Sequence, residues 1–224
     1  MFRDPTNPLL PNWKHIPVGY HGRASSIIVS GQDVIRPKGQ VLPLNEETPV
    51  FQASSRVDFE LEMGFVIGKK SNLGQSISTK EAEEYIFGKI LFNDWSARDL
   101  QREEMPMSLG PAKGKDFASS FGPYMVTPDE LEDAWDDKGK LHLRMTCHVN
   151  GKLISDGNTN DLYHSFGDMI ERASMNTNLV PGEYIGSGTV GTGCILELRP
   201  ENTGGWIQKG DTVTLEVELS LIHI

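Results

Sequence analysis

Arg56-Val57-Asp58-Phe59-Glu60-Leu61-Glu62-Met63-Gly64-Phe65-Val66-Ile67 is the stretch whose reading decides the fold. Val57, Phe59, Leu61 and Met63 alternate with Asp58, Glu60 and Glu62. A period of two is the signature of a β-strand with one apolar and one polar face. The apolar face is expected in a core. The polar face carries two glutamates that project from the same side, either as a solvated surface or as the start of a ligand set.

Strand patterns recur on both sides of this segment. Lys89 to Asn93 (KILFN) reads as a buried strand, and Leu141 to Val149 as another. Asn150-Gly151 is a hairpin turn leading into Lys152 to Ile154, because both residues tolerate positive φ. Val213, Leu215, Val217 and Leu219 close the chain on the same alternation, and Cys194 to Pro200 reads as a strand ended by proline. Ser26 to Ser30 and Asp33 to Arg36 read as short strands around Gly31. Helices are fewer. Ser78 and Glu81 form a capping box for a helix ending near Gly88, and a second helix is expected from Asp94. Leu162, Phe166, Met169, Ile170 and Ala173 recur at helical spacing over residues 161 to 174. Prolines 5, 8, 11, 17 and 37 keep the first forty residues turn-rich, and the acidic run from Asp129 to Asp137 suits an exposed loop or frayed helix. The expectation is a single α+β domain over residues 1–224, mostly β with few short helices.

Composition narrows the function classes. With 224 residues, 38% hydrophobic and 23% charged, the chain can bury a core and is not of disordered type. A formal net charge of −10 argues against nucleic acid or an anionic membrane as partner. No apolar run approaches the ~18 residues of a membrane span, and no charged-then-apolar leader opens the sequence. Two distant cysteines, Cys147 and Cys194, cannot build a disulfide framework or zinc knuckle, so a reducing cytoplasm is expected. The six histidines show no zinc spacing, and no Gly-x-Ser-x-Gly elbow supports a serine hydrolase.

The carboxylates remain to be explained. Asp94 follows an apolar strand at a strand-to-helix junction, where functional side chains gather. Glu60, Glu62 and Asp94 together offer oxygen ligands suited to a hard cation, Mg²⁺ or Ca²⁺. Asp94, Arg98 and Gln101 stand at i, i+4 and i+7, one helical face on which Arg98 could pair with a substrate carboxylate and Gln101 orient a carbonyl; an ordinary Asp94–Arg98 ion pair is the alternative. GSGTVGTG (Gly186 to Gly193) matches the dinucleotide fingerprint formally, but a strand pattern rather than a helix follows it. Its backbone N–H groups could still hold a carboxylate, with Thr189 adding a hydroxyl. Glu197 on the adjoining strand is a candidate base-orienting group or a plain surface glutamate. Lys113 and Lys115 in LGPAKGKDF are either a flexible basic loop or a source of a cation reaching the acidic site.

These segments carry a family resemblance. MFRD at the start, PNWKHIPVGYHGRASS, DFELEMGF, NDWSARDLQ, LGPAKGKDF and the SGT of GSGTVGTG resemble the fumarylacetoacetate hydrolase family over Met1 to about Leu219. The resemblance implies a mixed β-roll or β-sandwich, usually paired as a homodimer. It implies Glu60, Glu62 and Asp94 as metal ligands, with Lys115 and Ser119 close to the ion, Ser119 standing where the family has threonine. Arg3, Tyr20, Gln101 and Thr189 would contact substrate. Arg98, Lys115 and Gln101 would stabilise developing negative charge, and Glu197 would orient a water-activating histidine. The implied reaction is metal-dependent hydrolysis of a carbon–carbon bond in a small dicarboxylic β-diketone, fumarylacetoacetate, to fumarate and acetoacetate. A shorter acylpyruvate-type acid, hydrolysed or decarboxylated, and a binding fragment without turnover are the alternatives. In the family the histidine, a further aspartate ligand and a substrate tyrosine precede MFRD, so the sequence is expected to be truncated at its N-terminal side. Met105 stands where a second tyrosine is expected, and the terminal LSLIHI departs from the family's continuation.

Overall fold

The computed structural model describes residues 9–43, 45–137 and 140–218. Alternating sequence dominates, and the described residues form twelve strands and four helices. The strands are β1 (Ile27–Val29), β2 (Lys38–Val41), β3 (Val50–Ala53), β4 (Val57–Asp58), β5 (Leu61–Ile67), β6 (Ile86–Asn93), β7 (Ser96–Ala97), β8 (Ser119–Val126), β9 (Arg144–Val149), β10 (Lys152–Asn158), β11 (Tyr184–Gly186) and β12 (Val213–Glu218). The helices are α1 (Arg98–Glu104), α2 (Phe166–Ser174), α3 (Ile195–Leu198) and α4 (Pro200–Thr203). The mostly-β, α+β expectation holds.

A five-stranded sheet, β1-β8-β6-β5-β11, faces a three-stranded sheet, β10-β9-β12. Only the β1–β8 pairing is parallel among the described ladders. Phe59, Leu61, Met63, Phe65 and Ile67 meet Met145 and Cys147 in the core between the sheets, with Ile170 of α2 beside them. Lys89 also points inward, 1% exposed, its ammonium 2.5 Å from Glu83 and lying over the Trp135 and Phe166 rings. The opposite face of β5 carries Glu62 and Gly64, cross-strand from Phe92 and Ile90. There the Tyr184 ring sits 4.9 Å from Phe92 and 4.3 Å from Phe121, centroid to centroid, directly over Gly64.

Several boundaries differ from the sequence reading, each for a tertiary reason. The stretch 56–67 is two strands, because the Glu60 N–H donates to Asn93 Oδ1 (3.0 Å) instead of joining a ladder. Residues 33–36 are not a strand; Arg36 is fixed by its guanidinium to the Ser54 and Ile207 carbonyls, and the strand begins at Lys38. Ser78 and Glu81 do bond to each other (2.6 Å), yet only one 3₁₀ turn follows at Ala82–Tyr85. Ile86 is buried and pairs with Ile67, so strand pairing overrides the local helical signal. The helix expected from Asp94 starts at Arg98, since Ser96 pairs with Asp58 and the Trp95 indole donates to Ser120 Oγ (2.8 Å), holding this segment extended. Helix α2 begins at Phe166 because Ser165 and Asp168 form a capping box there. Asn150 and Gly151 adopt φ of 52° and 78°, as the hairpin requires, and β10 runs on to Asn158. Pro128–Ala134 is a 3₁₀ segment with Leu131 buried. Cys194 to Pro200 is not a strand: α3 forms because the Asp58 carboxylate accepts from the Ile195 and Leu196 N–H groups. Leu219, the rest of LSLIHI, Met1 to Asp4 and Arg3 within them lie outside the described residues.

Candidate metal centre

The polar face of β5 is not a solvated surface. Glu62 and Asp94 are buried and the Glu60 side chain is 13% exposed, and one carboxylate oxygen from each lies within 4.8 Å of the others. The junction after β6 brings Asp94 in, its N–H reaching the Glu60 carbonyl at 3.3 Å. Three like charges out of water repel strongly, so the cluster depends on its counter-charges.

Lys115 supplies the first. Its ammonium lies 2.5 Å from Glu60 Oε2 and 2.9 Å from Asp94 Oδ2, and also donates to the Asp94 carbonyl. Arg98 supplies the second through Nη1, 2.8 Å from Glu60 Oε1. Burial works against charge on Glu60, but Lys115 and Arg98 outweigh it and hold the carboxyl below the usual carboxylate range. Glu62 faces neither cation directly. Burial, then the Asp94 and Glu60 charges, push it well above that range, opposed by Lys115 and by the Gly188 N–H at 3.0 Å. Asp94 is raised too, by burial ahead of its opposing Lys115 contact. Tyr20 donates its hydroxyl to Asp94 Oδ2, so it caps the cluster from the N-terminal segment.

The donors are all hard oxygens crowded at a common point, with Glu62 lacking a cation of its own. That chemistry fits Mg²⁺ or Ca²⁺, which take six or more oxygen ligands and would draw the remainder from water and substrate. Glu60, Glu62 and Asp94 are the residues that could hold the ion.

The Gly-rich turn has a role that the sequence half-indicated. It does offer a backbone N–H to a carboxylate, but the carboxylate is the chain's own Glu62. The turn is strapped to β5 by Val190 N to Leu61 O and Leu61 N to Gly193 O. A Cβ at Gly186 would come within 2.8 Å of Glu62 Oε2, so the absent side chain leaves the carboxylate its place. Thr189 is half-buried, and its hydroxyl makes no hydrogen bond to the three carboxylates. A helical turn does follow the glycines after all, although α3 is a single turn and the preceding strand β11 is antiparallel, so the dinucleotide reading still fails.

Asp94, Arg98 and Gln101 do not share a helix face, because Asp94 precedes the helix. The alternative, an Asp94–Arg98 ion pair, does not form either: Arg98 Nε binds Asp58 (2.8 Å), and its Nη1 also reaches Gln101 Oε1 (3.0 Å). Arg98 Nη2 is buried without a hydrogen-bond partner among the described residues. Ser119 opens β8 opposite Ile27, and its hydroxyl likewise forms no bond to the carboxylates. Glu197 lies on α3, not on a strand, and accepts from Thr192 N at 2.9 Å. The residue is exposed, yet crowding of its carboxyl by protein atoms raises its pKa, with the Glu60, Arg98 and Asp58 charges also bearing on it. Met105 is exposed just beyond α1.

Two residues escaped the sequence reading. Asp58 belongs to the same alternation as Glu60 and Glu62, which was the signal available for it. Glu104 gathers three backbone N–H groups, Ala112 at 2.9 Å, Lys113 at 2.6 Å and Gly114 at 3.1 Å, and so ties the end of α1 to the loop that carries Lys115. No local pattern announces such a loop clamp.

Comparison with known proteins finds relatives over most of the chain. Residues 8–222 match the family model described as fumarylacetoacetate (FAA) hydrolase C-terminal. Fumarylacetoacetase of Arabidopsis thaliana is 36% identical over 252 residues, covering 96% of this chain and 60% of the relative. The Homo sapiens fumarylacetoacetase is 36% identical, covering 98% and 56%. The chain thus spans about 60% of the length of such curated relatives. Among solved structures, a fumarylacetoacetate hydrolase from Exiguobacterium antarcticum superposes with a TM-score of 0.64 at 25% identity, covering 88% of this chain and 61% of that one. A 5-carboxymethyl-2-hydroxymuconate delta-isomerase from Mycobacterium smegmatis gives 0.58 at 28% identity, covering 87% and 75%.

Proposed function

The chain belongs to the fumarylacetoacetate hydrolase family, and from that premise we propose that it forms the metal-binding part of a hydrolase that cleaves a carbon–carbon bond in a dicarboxylic β-diketone, with fumarylacetoacetate as substrate and fumarate and acetoacetate as products. The observation that carries this reading is the convergence of Glu60, Glu62 and Asp94 on one point beside Lys115 and Arg98. A divalent ion held by Glu60, Glu62 and Asp94 would supply Lewis acidity to a bound diketone.

The chain's own residues would do the following. Lys115 and Arg98 present fixed positive charge where an enolate develops, already oriented by Glu60, Asp94 and Asp58. Gln101, aligned by its bond from Arg98, positions the substrate through its amide. Tyr20, poised on Asp94, and Thr189 contact the bound acid. Glu197 would orient a water-activating histidine, the role that the family resemblance implies for it. Ser119 would stand near the ion, as the resemblance implies, and the working unit would be a homodimer.

A second reading, cleavage of a shorter acylpyruvate-type acid, is favoured by the exposed Met105 beside Gln101, since a thioether cannot hold a distal carboxylate as a phenol can. Turnover of an acylpyruvate in preference to fumarylacetoacetate would establish it.

Calorimetric titration of Mg²⁺ and of Ca²⁺ into the chain, alongside Asp94→Ala, tests the centre. Saturable binding lost in the variant is expected. Unchanged affinity in the variant, or no binding by a folded parent chain, overturns the assignment.

A further inference from the structure

Arg98 and Glu197 come from segments separated by almost half the chain, yet one side chain touches the supports of both. Asp58 is 0% exposed. Its Oδ2 accepts from Arg98 Nε at 2.8 Å and from Leu196 N at 3.1 Å, while Oδ1 accepts from Ile195 N at 2.8 Å. Its own backbone is fixed on two sides: Asp58 pairs with Ser96 across β4–β7, and the neighbouring Val57 carbonyl accepts from Ile207 N at 3.0 Å. The arginine's backbone is held by the same stretch, through Arg98 N to Arg56 O at 2.9 Å.

We infer that Asp58 is a positioning residue that couples the two sides of the site, setting the direction of the Arg98 guanidinium and the placement of the helical turn that carries Glu197. This rests on the reading above that Arg98 and Glu197 serve one reaction centre. The hydrogen-bond inventory makes the assignment specific. A guanidinium has a fixed fork of donors, so anchoring Nε on Asp58 dictates where Nη1 and Nη2 point. Here Nη1 is consumed by Glu60 and Gln101, and Nη2 is the donor that the fork leaves over. On the other side, α3 is one turn long and has no side-chain cap from its own N-cap residue, Cys194. Asp58 replaces that missing cap from a distant strand.

The role separates into two arms that substitutions can dissect. Asp58→Asn keeps one carbonyl oxygen, which can stay with the two Oδ2 donors, Arg98 Nε and Leu196 N, and turns an amide donor toward Ile195 N–H, which also only donates. Asp58→Ala removes both arms. Amide exchange at Ile195 and Leu196 reports the α3 arm, phenylglyoxal labelling of Arg98 reports the other, and exchange at the β9 amides reports the fold. Asp58→Ala is expected to speed exchange at Ile195 and Leu196 at least tenfold and to expose Arg98 to labelling, with β9 unchanged. Asp58→Asn is expected to speed exchange at Ile195 while keeping Leu196 protected and Arg98 shielded.

Uniform loss of protection across β9 and α3 in both variants would reduce Asp58 to a core stabiliser and overturn the inference. So would unchanged labelling of Arg98 in the folded Asp58→Ala chain. Mg²⁺ titration of the unsubstituted chain keeps the two questions apart: absent metal binding with the expected Asp58 responses would remove the metal reading and leave the coupling intact.

Discussion

Replacing Gly64 by alanine probes the packing behind the carboxylate cluster without altering any polar group. A Cβ at Gly64 would fall inside the Tyr184 phenol, overlapping Oη and Cζ, with Cε2 at 2.5 Å. The ring cannot rotate clear, because Phe92 and Phe121 hold its other sides. Displacing it adds an overpacking cost of about 1–3 kcal/mol. Pulling the ring away from either phenylalanine removes a further ~0.5–1.5 kcal/mol. Against this, alanine in place of glycine in a strand returns about 0.5–1 kcal/mol of backbone entropy. The expected net loss is about 0.5–4 kcal/mol, centred near 2. Tyr184→Leu removes the obstructing end of the ring, together with a buried hydroxyl that has no partner among the described residues. In that background Gly64→Ala should be close to neutral, giving a coupling energy of about 2 kcal/mol in a double-mutant cycle. Urea unfolding of the four chains, fitted with a common slope, measures it. If the two substitutions add to within about 0.5 kcal/mol, the Gly64–Tyr184 fit is not what the geometry says it is.

Two other outcomes follow from the site. Glu62 and Asp94 hold their protons to higher pH in the folded, metal-free chain than when unfolded, so their contribution is present at low pH and is lost as pH rises through the raised folded values. Glu60 works in the opposite sense, and its stabilisation is lost only as pH falls below the usual carboxylate range. Thermal unfolding followed across pH should therefore show the metal-free chain weakening relative to the Mg²⁺-saturated one as pH rises through the carboxylate range toward neutrality, because the ion needs both groups ionised; parallel profiles would contradict this. Glu104→Ala should release the loop at 112–114 at a cost of about 1–2 kcal/mol, since its charge-assisted bonds are partly solvent-exposed. Acetylation footprinting should then find Lys115 reactive while Lys89, buried elsewhere, stays protected; a Lys115 as shielded as before would show that Glu104 does not position it.

What was legible in the sequence was whatever depended on period or on local chemistry. The alternation through Glu60 and Glu62 placed both carboxylates on one face, and Asn150-Gly151 marked its hairpin. Capping signals were less reliable. Ser78 and Glu81 made their bond and still yielded one turn, because Ile86 gains more from pairing with Ile67 than a helix could return. Spacing also misassigned Arg98: i and i+4 describe a helix face only if both residues are helical, and the β4–β7 pairing keeps Asp94 and its neighbours extended. The capping of α3 by Asp58 and the clamp at Glu104 join segments that share no pattern. They became visible only once the chain was folded, and α3 was misread as a strand for the same reason.

The order in which the chain brings its parts together has a kinetic consequence. Tyr20, Glu60, Glu62, Asp94, Lys115 and Gly188 all meet in one cluster, and β1 must wait for β8 to form the parallel edge of the sheet. Pairings so remote in sequence close large loops before any contact rewards them, which slows folding. A polypeptide emerging from the ribosome has its acidic ligands long before the glycine turn that steadies Glu62. On the proposed metal reading, cation capture would belong to the final stage of folding, and the rate at which binding capacity appears after dilution from denaturant would time the completion of the whole topology.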